Sequence, residues 1–482
     1  AALMVRTLRV LGADVGYFLP HRQKHGYGLN IAAVEAAAGN GVDLIVTVDS
    51  GSSAVSETAR AKELGIDVVV TDHHEAFGAQ PDVVAHVNPK RAGNDCRDLA
   101  YLAGVGVAYK VCEALLTVLN QPTAGYRERS LDLVAVGTIA DVAPLVGENR
   151  ALTKLGLGVL AKTRKIGLLA LATEAGLDIS RVRARTVSMT IAPRLNAAGR
   201  MDDPEIALKL LLTKDSAEGW RLAHALEISN ARRREEQDRC YAEAEEIVGR
   251  TLDPAQRAIV VASEGWNVGV IGIIASKLSE TFCLPSFVVV LDGQAGRGSA
   301  RSPAGLNVVD ALRACSEHLT AFGGHERAGG FEIAASKMGA FRDCLLAYAA
   351  NAYPSDAPEA GMDIDLALAI GDITLDLARQ IRDLEPFGEG NPQPVFLVED
   401  AIVREIDQVG AGEHVLLRVA ASGSKGQHTI QAMAFGFANE MAYLRPGDHV
   451  DLCVALSVDE YGYGGWAEPR MIVRDFYHTR GR

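Results

Sequence analysis

Three stretches of this sequence close an apolar run on groups that bind metals. Residues 67–71, Asp-Val-Val-Val-Thr, lead into Asp72-His73-His74. Residues 44–48, Leu-Ile-Val-Thr-Val, lead into Asp49-Ser50-Gly51, and residues 134–140 run into Asp141. A β-rich run ending in a carboxylate and two imidazoles sets those side chains at the carboxyl end of a buried strand, where open α/β sheets bind ligands. Adjacent side chains on an extended backbone point to opposite sides. One imidazole is therefore expected to face a metal and the other to face whatever the metal holds. Buried carboxylates cost several kcal/mol unless paired or metal-bound, and one shared cation would satisfy all three runs. Oxygen and imidazole donors without thiolate suit Mn2+ or Mg2+ better than structural zinc.

The elements that must position these groups follow from periodicity. Strands are expected near residues 15–19, 44–48, 68–71 and 83–87. Helices are expected near 31–38, 53–64, 105–119 and 130–139, an alternation that indicates a parallel sheet wrapped on both faces. Residues 1–12 read as an amphipathic helix closed by Gly12. Residues 215–250 form one long, largely charged helix of the kind that connects domains. A second α/β unit begins with a strand at 258–262 and reaches to about residue 350. Residues 351–394 read as an acidic linker. Short strands at 395–398, 415–419, 429–435, 450–456 and 471–473 fit a small barrel such as an OB-fold.

Three further groups of residues bear on an anionic ligand. Arg181, Arg183, Arg185, Arg194 and Arg200 lie in a window without an acid, which favours phosphate contact through planar, bidentate donors. Residues 296–302, Gly-Arg-Gly-Ser-Ala-Arg-Ser, offer backbone N–H groups with Ser299 and Arg301 as an anion cradle. Tyr461, Tyr463 and Trp466 stand in a glycine-rich hairpin and either stack on bases or pack on one another.

At 482 residues the chain suits about three domains. With 48% hydrophobic and 23% charged residues it is ordinary globular protein rather than disordered chain. A net charge of −13 argues against polyanion binding by the whole surface, while leaving room for a locally basic groove. The seven cysteines are scattered without a C-x-x-C pair, so reduced thiols are expected. No apolar run reaches membrane-spanning length and nothing resembles a signal peptide, so the expected compartment is the cytoplasm, without membrane attachment.

Val48-Asp49-Ser50-Gly51, Asp72-His73-His74 and Gly137-Thr138-Ile139-Ala140-Asp141 resemble motifs two, three and four of the DHH phosphoesterases. Pro20-His21-Arg22, Leu102-Ala103-Gly104-Val105-Gly106, Asn196-Ala197-Ala198-Gly199-Arg200, Gly298-Ser299-Ala300-Arg301-Ser302, Gly323-Gly324-His325 and Pro386-Phe387-Gly388 extend the resemblance to the RecJ branch, over almost the whole chain. The resemblance implies an α/β fold with a parallel-sheet DHH domain at 1–175, a basic segment and connector helix at 176–250, and a DHHA1 domain at 251–350. The acidic linker at 351–394 and an OB-like barrel at 395–482 follow.

The function implied is 5′-to-3′ exonuclease action on single-stranded DNA in repair and recombination. Single-strand-binding protein and a helicase are the candidate protein partners. The catalytic set implied is Asp49, Asp72, His73, His74 and Asp141. Asp49, His73 and Asp141 are metal ligands in it, Asp49 bridging two Mn2+ or Mg2+ ions. His74 touches the scissile phosphate, and Asp72 orients a histidine. Arg22, Arg194, Arg200, Ser299, Arg301 and His325 are the implied substrate contacts. Asn267 stands where the family is expected to carry histidine and is left out of the site.

The family's first motif, an Asp-x-Asp pair before the first helix, is absent. The chain is therefore expected to be a fragment lacking that strand, and to be inactive or nearly so alone. Two rival readings remain. One is a DHH phosphodiesterase for oligoribonucleotides or cyclic dinucleotides, which the barrel disfavours. The other is a catalytically dead scaffold that binds single strands.

Overall fold

A computed structural model describes residues 1–20, 28–75, 78–91, 97–303, 305–353, 361–421, 429–460 and 466–479. The chain divides into two units, Ala1–Ala143 with Gly147–Ala360, and Pro144–Val146 with Gly361–Arg482.

In the first unit, β1 (Leu44–Val48), β2 (Asp67–Thr71) and β3 (Ala85–Val87) form a parallel sheet in that order. Val48 pairs with Thr71 and Thr71 with Val87, so the three strands end level. Asp49 and Asp72 continue the ladder by one bond each, from Asp49 N–H to Thr71 O and from Asp72 N–H to Val87 O. That common edge carries the chemistry. Residues 15–19 join no ladder among the described residues, contrary to expectation. Gly16 within the run and Pro20 just after it weaken a strand here, and Phe18 is left half exposed.

The first helix, Ala2–Val10, buries Leu3, Met4 and Thr7, and Gly12 closes it at φ 87°. Its neighbours Gly104–Val118 and Tyr126–Ala140 build the main core around Val107, Tyr109, Leu131 and Val134. The helix Ser216–Thr251 runs 36 residues, about 54 Å at 1.5 Å per residue. Asp215 caps it by accepting a hydrogen bond from Glu218 N–H at 2.7 Å. Leu222, Ala223 and Leu226 near its start belong to the core of the first domain. Cys240, Tyr241, Ala244 and Val248 belong to the core beneath the second sheet. One rigid helix thus joins two cores.

The second sheet orders β4 (Ile259–Ser263), β5 (Ser286–Asp292), β6 (Ala295–Arg301), β8 (Ala328–Ala334) and β7 (Leu319–His325), with only β4 and β5 parallel. Residues 296–301, read from sequence as a cradle of exposed N–H groups, are strand β6. Their backbone pairs with β5 and β8. The glycines serve packing: a Cβ on Gly298 would lie 2.1 Å from the Phe331 ring.

In the second unit, β10 (Phe396–Val409), β11 (His414–Ala421), β12 (Thr429–Ala434), β14 (Glu468–His478) and β13 (His449–Asp459) pair in that sequence and close back on β10. The ring is OB-like, and alternate residues such as Val415, Leu417 and Val419 fill it. Of the stretch 351–394, read as linker from its acids, residues 354–360 lie outside the described residues, and 361–394 carry β9 (Leu366–Ala367) and the amphipathic helix Leu375–Asp383. Ile370 and Ile373 in the same stretch are buried in the barrel core.

Candidate metal centre

Asp49 follows β1 with φ 66°, a left-handed turn that aspartate tolerates better than most residues. His73 follows β2, and its Nε2 lies 3.0 Å from Asp49 Oδ1 and 3.4 Å from Asp141 Oδ2. That nitrogen is buried and makes no well-formed hydrogen bond with either oxygen. Ligand atoms of Asp49, His73 and His74 all lie within 4.8 Å of one another. An imidazole nitrogen aimed between two carboxylates without hydrogen-bond geometry is the arrangement a divalent cation fits.

The two carboxylates differ in environment. Asp49 stands against the N-terminus of helix Gly104–Val118, whose Gly104 touches it. Asp141 caps the C-terminus of Tyr126–Ala140, where the helix dipole disfavours negative charge. Burial, with Asp49 adding to it, pushes the Asp141 carboxyl up to about 6. A divalent cation bound between the two carboxylates would offset their repulsion.

Asp72 organises the pair of histidines. Its Oδ1 accepts from the N–H groups of His73 at 2.8 Å and His74 at 3.2 Å, and meets His74 Nδ1 at 2.7 Å. Its Oδ2 accepts from Ser52 N–H at 3.0 Å. Burial works to raise the Asp72 carboxyl, but these hydrogen bonds outweigh it and hold the group far below the usual range. The same contact with Asp72 raises His74. The two rings meet edge to face with centroids 4.5 Å apart. They therefore share one side, against the expectation that neighbours alternate. The extended backbone stops at Thr71, and Asp72 folds the next two residues around its own oxygen.

Sequence reasoning passed over the support for this turn. Asn88, just past β3, donates to Ser52 Oγ at 2.8 Å and to His74 O at 2.9 Å, and Ser52 Oγ also meets His86 Nε2 at 3.0 Å. Each is an ordinary polar residue alone. The usable signal was position, since Ser52 and Asn88 follow the ends of β1 and β3 as Asp72 follows β2.

The expected substrate residues separate into three groups. Ser299, Arg301 and His325 belong to the second sheet. Arg301 bonds Ser299 Oγ at 3.2 Å, and a Cβ on Gly272, in the first turn of helix Ile271–Phe282, would stand 3.2 Å from that oxygen. His325 ends β7 at the hairpin to β8, where desolvation and then the charges of Arg301, Lys90 and His74 lower its pKa. Both domains of the first unit therefore face this point. Arg194 and Arg200 are engaged elsewhere. Arg194 is largely buried against Glu227 of the long helix and bonds Thr190 O at 2.8 Å; Arg200 reaches Gly269 O at 3.1 Å. Asn267 accepts from Gly269 N–H at 2.8 Å and shapes that turn. Arg22, Tyr461 and Tyr463 lie outside the described residues, and Trp466 is 78% exposed.

Family models match in chain order: the DHH family, N-terminal domain, over residues 1–138, the DHHA1 domain over 255–351, and the RecJ OB domain over 364–475. Fold and site together define a DHH–DHHA1 protein with an added OB domain. The single-stranded-DNA-specific exonuclease RecJ of Bacillus subtilis is 37% identical over 98% of this chain, and that of Salmonella typhimurium is 33% identical over 95% of this chain and 82% of its own length. The crystal structure of RecJ in complex with Mn2+ from Thermus thermophilus matches all of this chain at TM-score 0.82 and 33% identity, over 67% of that chain. This chain belongs to the RecJ family. It spans 59% of the length of the Bacillus subtilis and Thermus thermophilus relatives.

Proposed function

We propose that this chain forms the catalytic core of a metal-dependent exonuclease that degrades single-stranded DNA from its 5′ end. One observation carries the reading: His73 Nε2 lies 3.0 and 3.4 Å from carboxylate oxygens of Asp49 and Asp141, at the carboxyl edge of a parallel sheet. Asp49, His73 and Asp141 would hold Mn2+ or Mg2+. Such an ion supplies a nucleophilic water at neutral pH and neutralises charge on a phosphoryl oxygen. His74, fixed by Asp72, whose contact raises its pKa, would donate to the scissile phosphate. Ser299, Arg301 and His325 hold the strand's phosphates against the second sheet.

The substrate class rests on the relatives named single-stranded-DNA-specific exonucleases, and the ions on RecJ structures with Mn2+ and Mg2+. Work in DNA repair and recombination alongside single-strand-binding protein and a helicase is the setting proposed for this activity, as the resemblance of its motifs implies. Among the described residues no helix is long and apolar enough to cross a membrane.

The test is digestion by the full-length protein in Mn2+ of single-stranded DNA labelled at either end, beside duplex DNA and RNA. Early release of the 5′ label from the single-stranded DNA alone is expected, and its loss in Asp49→Asn. Release from the 3′ end, or equal attack on duplex, refutes the reading.

A further inference from the structure

A second basic site lies at the opposite end of the helix that Asp141 terminates. A cavity of about 640 Å3 opens among the helix Ala2–Val10, the first turns of Tyr126–Ala140, the turn at 161–165 and residues 213–214. Six bases line it: Arg6, Arg129, Lys162, Arg164, Lys165 and Lys214. The acids there are Glu128 and Asp132. Asp132, 1% exposed, is already committed, to Lys165 Nζ at 2.7 Å and Thr163 Oγ1 at 2.7 Å. Arg6, Lys162, Arg164 and Lys214 make no ion pair with a described residue.

In a chain of net charge −13, three separate segments thus bring uncompensated cations to one concavity. Like charges held together raise the free energy of the fold, and an anion offsets that repulsion. The volume falls within the range of small-molecule sites, roughly 300–1,000 Å3. Val159 and Ile166 supply an apolar wall, on which a flat ring can lie. Four unpaired cations match a row of phosphates better than a single one.

We propose that this cavity binds a nucleoside polyphosphate at a site separate from the metal centre. From Asp132 to Asp141 the shared helix rises about 14 Å, so one small ligand does not bridge the two sites. The ligand's phosphates lie among Arg6, Lys162, Arg164 and Lys214, and its base lies on Val159 and Ile166.

Calorimetric titration with adenosine triphosphate in the presence of a chelator tests this, since the metal centre is then empty. Binding is expected in the unaltered chain and in Asp49→Asn. It is expected to weaken roughly tenfold per cation removed in Lys162→Gln with Lys214→Gln, both exposed positions. Tripolyphosphate is expected to bind less tightly; equal affinity overturns the nucleoside assignment. No binding, or full binding by the double variant, overturns the site. Photo-crosslinking the unaltered chain with 8-azido-adenosine triphosphate gives a check that needs no variant. Label within 158–166 or 213–214 is expected, and label only elsewhere refutes it. A single-stranded oligonucleotide that displaces the nucleotide at lower concentration through the same lysines would replace the small ligand by a strand and overturn the proposal.

Discussion

Gly104 stands directly against the carboxylate of Asp49: a Cβ there would lie 2.2 Å from Oδ1 and 2.6 Å from Cγ. No real Cβ sits so close, so a side chain at 104 must displace the carboxylate. Helix Gly104–Val118 begins at this residue, and alanine is intrinsically better in a helix than glycine. Gly104→Ala should therefore leave the melting temperature near its original value while Mn2+ affinity falls by roughly tenfold or more, a loss of about 1.4 kcal/mol. Calorimetric Mn2+ titration beside a thermal melt separates the two effects. Unchanged affinity would show that Asp49 does not depend on the contact.

Asp72 acts on the metal centre through the two histidines. Asp72→Asn keeps the shape but removes the charge that raises His74. The His74 pKa should fall, and metal affinity or turnover should drop by roughly 10–100-fold, the range for residues that orient ligands. Histidine ring NMR against pH reads the first and Mn2+ titration the second. A His74 that titrates unchanged would remove Asp72 from this role.

Protons compete with the ion at Asp141. Its carboxyl is pushed up to about 6 by burial and by Asp49, so below that pH it is protonated and must lose the proton to become a ligand. Mn2+ affinity should rise from pH 5 to pH 7 and level off above. Asp141→Asn should bind weakly and flatten the rise. A flat profile in the unaltered protein counts against Asp141 as a ligand.

Arg194 and Arg301 should respond differently to truncation. Arg194 is tied to Glu227, which also meets Arg234 at 3.4 Å. Arg194→Ala should cost about 1–3 kcal/mol of stability, seen in urea unfolding, with little change in strand binding. Arg301 makes no ion pair with a described residue, and burial lowers its pKa. Arg301→Ala should weaken single-strand binding and reduce the slope of log affinity against log salt by roughly 0.7. The reverse pattern would make Arg194 the phosphate contact.

Much of the organisation was legible because it rests on local physics. The apolar runs before Asp49 and Asp72 became β1 and β2, and the helix read over residues 1–12 with Gly12 closing it formed as Ala2–Val10. Uninterrupted helical pattern after Asp215 gave the connector. Side-chain period, caps and glycine turns are written in consecutive residues, and so are readable there. The motifs carried the family resemblance for the same reason.

Contacts between distant segments were not legible. Five arginines without a nearby acid in sequence suggested phosphate contact for Arg194, yet Glu227, 33 positions on, takes its charge. Residues 351–394 read as linker by their acids, but Ile370 and Ile373 within them are held in a core that only the folded barrel supplies. His73 and His74 were expected on opposite sides, and the Asp72 turn sets them together. By itself the sequence determined which strands end in ligands and which helices join the domains. The tertiary structure alone decided which charges stay available, because pairing and burial depend on neighbours that chain order does not reveal.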